Sequence, residues 1–164
     1  MTIRRGSGID LLFFLALLST ALALGGALAH ALELPNKINL SEHEYFIVQK
    51  AYRGWNRLAF LLLVELGSMC AIAVLSRHDP RILWPTVVAV ACLLCAQAAF
   101  WIYTYPANTA THNWTTVVPD WQARRRQWEY SHAVGALFQV LAMSALTIAE
   151  LSRSKVTVSA FTDV

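Results

Sequence analysis

The sequence predicts an all-α fold: an integral membrane four-helix bundle with a short amphipathic helix before the fourth membrane helix, in one domain over residues 1–164. Three observations predict it. Four long apolar runs occupy 9–31, 58–75, 82–103 and 134–151; the composition is 57% hydrophobic and only 14% charged; and no internal repeat, low-complexity tract or Gly/Ser linker divides the chain. A hydrocarbon core about 30 Å thick needs about 20 apolar residues at a rise of about 1.5 Å, and each run is of that order. Only helices then satisfy the backbone in lipid. Soluble domains carry roughly 25% charged residues, so most soluble-enzyme readings are excluded. The net charge of +3 is too small to point to nucleic acid.

The first run follows Arg4 and Arg5 and ends on Ala29-His30-Ala31, which imitates a small-x-small cleavage site. Its apolar stretch exceeds the roughly 7 to 15 residues of a secretory signal, so a retained membrane helix is expected, with His30 at its far end. A first outer loop, 32–55, leads to the second run. The turn 76–81, with His78, Asp79 and Pro80, reads as a plain connector to the third. A second outer loop, 104–131, closes on an amphipathic stretch from Trp121 to His132 that runs into the fourth. Cys70, Cys92 and Cys95 fall inside apolar runs and imply no disulfide framework. Cys92-Leu-Leu-Cys95 invites comparison with quinone-linked thiol oxidoreductases, but it sits mid-helix, where buried thiols react poorly, and all three read as small core residues.

Arg4, Arg5, Arg77, Arg81, Arg153 and Lys155 lie on one side, in short segments near helix ends. Lys37, Lys50, Arg53, Arg57 and Arg124 to Arg126 lie on the other, in the longer loops. Positive residues act on insertion most strongly in short segments, so both termini are expected in the cytoplasm, of a bacterial inner membrane, with the long loops outside.

The outer loops hold Trp55, Trp114, Trp121 and Trp128 and, with the ends of the flanking runs, His30, His43, His112 and His132. Trp121, Arg125, Trp128 and His132 share one helical face, which continues through Gly135 to Gln139. Arg125 and Glu129 are four apart and suited to pair. An interfacial helix touching anionic headgroups accounts for Arg124 and Arg126. Glu129-x-x-His132 places a carboxylate and an imidazole one turn apart, as bundle metalloproteins do. His30-Ala-Leu-Glu33 mirrors it at the same level, so His30, Glu33, Glu129 and His132 form a candidate metal set for iron or copper ahead of zinc or manganese. Glu42, His43 and Glu44 either add ligands or are solvated.

Glu65 lies near mid-span, where a carboxylate costs at least about 2.5 kcal/mol and normally faces the interior for a purpose. Gln97 and Gln139 reach similar depths. A polar, cofactor-binding pocket floored by Glu65, Gln97 and Gln139 and rimmed by His30, Asn108 and His132 is one reading; helix-to-helix hydrogen bonding is the other.

These residues resemble the anthrone-oxygenase-like family of small four-helix membrane proteins, largely a domain of unknown function. The likeness rests on Gly26-x-x-x-His30 and Glu33-Leu-Pro35, then Gln49-x-x-Tyr52-x-x-Trp55, Pro106-x-Asn108 and Arg125-x-x-Trp128-Glu129-x-x-His132, which together span most of the chain. The resemblance implies oxidation of anthrones to anthraquinones by molecular oxygen, with roles for His30 and His132, and for Asn108 and Trp128 after them.

The leading expectation is thus a membrane oxidoreductase acting on a flat hydrophobic phenol, anthrone or quinone that enters between helices. His30 and His132 would act as bases or metal ligands, and Glu33 and Glu129 would orient the rings. A haem b held between His30 and His132 is a second reading, from electron transfer. A third is a non-catalytic accessory subunit of a larger membrane complex.

Overall fold

The computed structural model describes residues 5–162, and side chains over 8–153. Arg4 and the side chains of Arg5 and Lys155, which entered the orientation argument, lie outside the described residues. No strand occurs among the described residues. Six α-helices follow in order: α1 (Arg5–Lys37), α2 (Glu42–Gln49), α3 (Ala59–Leu75), α4 (Pro80–Ala99), α5 (Tyr105–Ala110) and α6 (Trp121–Thr162). Four stretches, Gly8–Lys37, Trp55–Leu75, Pro80–Ala110 and Trp121–Arg153, are long and apolar enough to cross a membrane.

Local chemistry sets the ends of these helices. α1 outruns the expected 9–31 by about two turns and continues past Pro35, whose missing N–H removes one helical hydrogen bond in the last turn without ending the helix. Ser41 and Glu44 close a capping box on α2, and these bonds hold the Glu44 carboxyl below its usual range. Gly54, at φ 86°, joins the 3₁₀ turns Lys50–Tyr52 and Trp55–Leu58; a side chain is strained there. Asp79 caps α4 with Pro80 at its first position, which makes the 76–79 turn the connector expected.

Beyond α4 the chain widens into a π turn, Phe100–Thr104, before α5, so the third apolar segment extends to Ala110 without a break. Trp121 to His132 is no separate amphipathic helix. It is the first third of α6, because nothing between Tyr130 and Val134 breaks the helix: there is neither Gly nor Pro.

α6 packs on α4 and α1, and α3 packs on α1 and α4. Phe13, Ala16, Met69, Ile72, Leu93, Ala142 and Leu146 form the core between the four long helices; its alanines let them approach closely. A second, aromatic core lies toward the α2 and α5 end, where Tyr45, Trp114 and Trp128 close over Ala107. The outward faces stay apolar: only 22% to 33% of each long apolar stretch is buried, and Phe60, Leu63, Trp84 and Leu137 are exposed.

Candidate functional site

α1 and α6 bring two imidazoles together. The His30 and His132 ring centroids stand 4.3 Å apart, tilted by 49°. Trp128 lies one turn before His132 and covers it at 4.0 Å, with its edge toward His30 at 5.0 Å. Tyr52 and Trp55, on the two 3₁₀ turns, close the remaining sides of His30 at 4.4 and 5.1 Å. His132 Nδ1 lies 2.9 Å from the Trp128 carbonyl. A carbonyl only accepts, so this nitrogen carries the proton and Nε2 keeps its lone pair. His30 is 5% exposed and its Nδ1 has no hydrogen-bond partner among the described residues.

Both expected carboxylates are here, turned toward a lysine. Lys37, only 3% exposed, sets its ammonium 3.2 Å from Glu33 Oε2 and 3.3 Å from Glu129 Oε2, and donates to the Tyr52 hydroxyl at 2.9 Å. The ammonium also lies over the Tyr52 and Trp128 rings. Glu129, fully buried, accepts from the Tyr45 hydroxyl at 3.0 Å, and Tyr45 accepts from Gln49 at 2.7 Å. Tyr52 donates to Glu33. Burial first, then Glu129, raises the Tyr45 phenol; burial, then the bond to Glu33, raises that of Tyr52. Both phenols therefore remain donors.

The pairing of Arg125 with Glu129 expected from their spacing does not form. Arg125 donates to the Leu40 carbonyl at 2.6 Å and stacks on Trp121, while Lys37 takes the carboxylate. By sequence alone Lys37 is one of the outer-loop charges. The signal was present: His30, Glu33 and Lys37 follow at i, i+3 and i+7, on one helical face.

Asn108 anchors the aromatic wall. Its Oδ1 accepts from the indole N–H groups of both Trp128, at 2.9 Å, and Trp114, at 3.1 Å. Trp114 reaches it through three successive left-handed residues, His112, Asn113 and Trp114, with φ of 47°, 56° and 60°. Such residues cost about 1 to 2 kcal/mol each. Bonds from the Asn113 amide to the Asn108 carbonyl and from the Trp114 amide to Thr111 Oγ1 hold the turn.

Deeper in the fold, Gln139 Nε2 donates to both oxygens of fully buried Glu65, at 3.2 and 3.1 Å, and so ties α6 to α3. Gln97 is half-buried on α4 and bonds to neither, so the three-residue floor expected from depth reduces to a pair. Glu42, His43 and Glu44 are exposed on α2, away from the imidazoles.

A groove of about 250 Å³ adjoins the centre, lined by Leu22, Gly26, Gly54, Trp55, Arg57 and Leu58. Trp55 is shared: it lines the groove and meets His30.

The fit to a metal is poor on the donor set. Catalytic sites usually offer three protein ligands, but with both carboxylates held by an ammonium only two imidazoles remain. Among the described residues no three His, Cys, Asp or Glu side chains gather as a ligand set. Haem fits no better, because the imidazoles touch each other and a macrocycle between them would have to force them apart. No family model, curated protein or solved structure matches this chain.

Proposed function

We propose that this chain is an integral membrane four-helix bundle, in a bacterial inner membrane with both termini cytoplasmic, whose outward end oxidises a flat hydrophobic aromatic substrate. Supporting the membrane reading are four sufficiently long apolar helices whose outward faces carry large apolar side chains, a burial pattern suited to lipid. Supporting the bundle reading is the core shared by α1, α3, α4 and α6.

The observation that carries the chemical reading is the His30–His132 pair, His30 buried and His132 half-buried, in an aromatic box beside a groove. An anthrone-type substrate reaches the groove from lipid, and its ring system lies against Trp55, which both lines the groove and meets His30. His132 Nε2, with its lone pair directed by the Trp128 carbonyl, takes a proton from the ring methylene whose carbanion is conjugated with the ring carbonyl. The carbanion is the reductant and molecular oxygen the oxidant. Carbon forms a bond to oxygen and the returned proton completes a hydroperoxide; the second hydrogen on that carbon then leaves as a proton, its electron pair forms the C=O bond, the O–O bond breaks, and the departing hydroxide takes up that proton as water. The balance is one methylene plus O₂ to one carbonyl plus H₂O. Imidazole suits this role because its ordinary pKa is already near neutral.

The test is oxygen uptake and anthraquinone formation by the purified protein with anthrone. A general base contributes about 10² to 10⁴ in rate, so His132→Ala should cost at least about 100-fold. Full turnover in both His132→Ala and His30→Ala, with intact folding, sinks the reading.

A further inference from the structure

We infer that the ammonium of Lys37 is the resident cation of the His/Glu centre: it stands between Glu33 and Glu129, where the mirrored His30-x-x-Glu33 and Glu129-x-x-His132 spacings would otherwise present carboxylates to a divalent metal. The inference concerns what the carboxylates hold and is independent of the oxidation reading.

Four observations carry it. The lysine is 3% exposed, which is rare for this residue type unless it is paired. Its ammonium has three oxygen partners in place: it donates to the Tyr52 hydroxyl and forms ion pairs with Glu33 and Glu129. The partners come from three elements, α1, α6 and the 3₁₀ turn Lys50–Tyr52, so the ammonium joins segments far apart in sequence as a structural metal ion does. Lastly, the aromatic rings that wall His30, those of Tyr52 and Trp128, also lie under the ammonium and add cation–π attraction.

The geometry of α1 explains how the lysine gets there. A helical side chain leans back toward the N-terminus of its helix, so Lys37 reaches over the turn that carries Glu33 and toward His30. A divalent ion on the same carboxylates would lie within a few ångströms of this ammonium and be repelled by it. Holding the carboxylates also keeps them off the imidazoles, which remain free to act as bases or to contact a ligand.

Thermal unfolding of the full chain in detergent tests the inference, with Co²⁺ and n-propylammonium as probes. Wild type should be unmoved by either. Lys37→Ala should melt lower and recover most of the loss on addition of either cation, whereas Lys37→Arg should stay near wild type. Lys37→Ala/Glu129→Gln, which removes the cation together with its buried counter-charge, guards against simple misfolding: it should fold and respond to neither probe. Three results overturn the inference. They are a Co²⁺ stabilisation of wild type as large as that of Lys37→Ala, a Lys37→Ala protein indifferent to both cations, and a double variant that responds as the single one does.

Discussion

One oxygen of Asn108 serves two buried indoles, so its loss strands two donors at once. Each buried unsatisfied donor costs about 1 to 3 kcal/mol. Asn108→Leu is therefore expected to lower stability by about 2 kcal/mol or more, read by denaturant or thermal unfolding. It should also shift tryptophan fluorescence as Trp128 and Trp114 lose their common anchor. Asn108→Asp keeps an acceptor oxygen and should lose less. Tyr45 and Tyr52 yield a pH prediction. Their phenols hold protons more tightly when folded than in the unfolded chain, where the value is about 10. Their contribution is whole below about pH 10 and is lost as pH rises above it. In an alkaline titration their tyrosinate absorbance should appear only with unfolding, and Tyr45→Phe and Tyr52→Phe should each flatten the alkaline fall in Tm. An early tyrosinate signal that these substitutions remove would contradict this.

At the scale of elements, the instructive cases are the joints. Gly54 takes a left-handed conformation between two 3₁₀ turns that deliver Tyr52 and Trp55 to His30. Gly54→Ala should cost about 1 to 2 kcal/mol, visible in the unfolding midpoint, because only the backbone conformation is penalised; nothing lies within 4 Å of an added Cβ. The clasp between α3 and α6 behaves differently. Glu65→Leu strands the Gln139 amide in the interior, whereas Glu65→Gln retains a hydrogen-bonding partner. The leucine variant is expected to unfold more readily than the glutamine variant, by about 1 to 3 kcal/mol. Equal stability of the two would mean that the clasp contributes little to holding these helices together.

For the whole molecule, the two cores divide the labour. The alanine-rich core between the long helices sets their separation, and the aromatic core at one end builds the box around the imidazoles. The groove adjoins that box through Trp55, and under the proposed function it is the route in. A Cβ on Gly26 would meet Leu58 at 3.5 Å and Trp55 at 3.6 Å, ordinary contact distances, so alanine is tolerated while a larger side chain fills the groove. Gly26→Leu should raise KM for a tricyclic anthrone several-fold more than for a smaller ketone that carries an activated ring methylene, read by oxygen uptake. Equal effects on both would place substrate access elsewhere.

The number of long helices, their apolar character and the pairing of His30 with Glu33 and Glu129 with His132 on single faces were legible in the sequence, because each depends on the hydrophobicity and periodicity of neighbouring residues. Element ends at Asp79, Ser41 and Gly54 also carry their local causes. Packing alone decided the rest. Tyr45 reaches Glu129 across 84 positions and Gln139 reaches Glu65 across 74. No local pattern tells whether a carboxylate will face Arg125, four residues away, or Lys37 on another helix. Depth alone placed Gln97 beside Glu65, but depth says nothing of rotation about the helix axis. The cation that the two carboxylates hold was settled only when α1, α6 and the turns after α2 came together, since a buried charge finds its partner by tertiary approach and not by spacing.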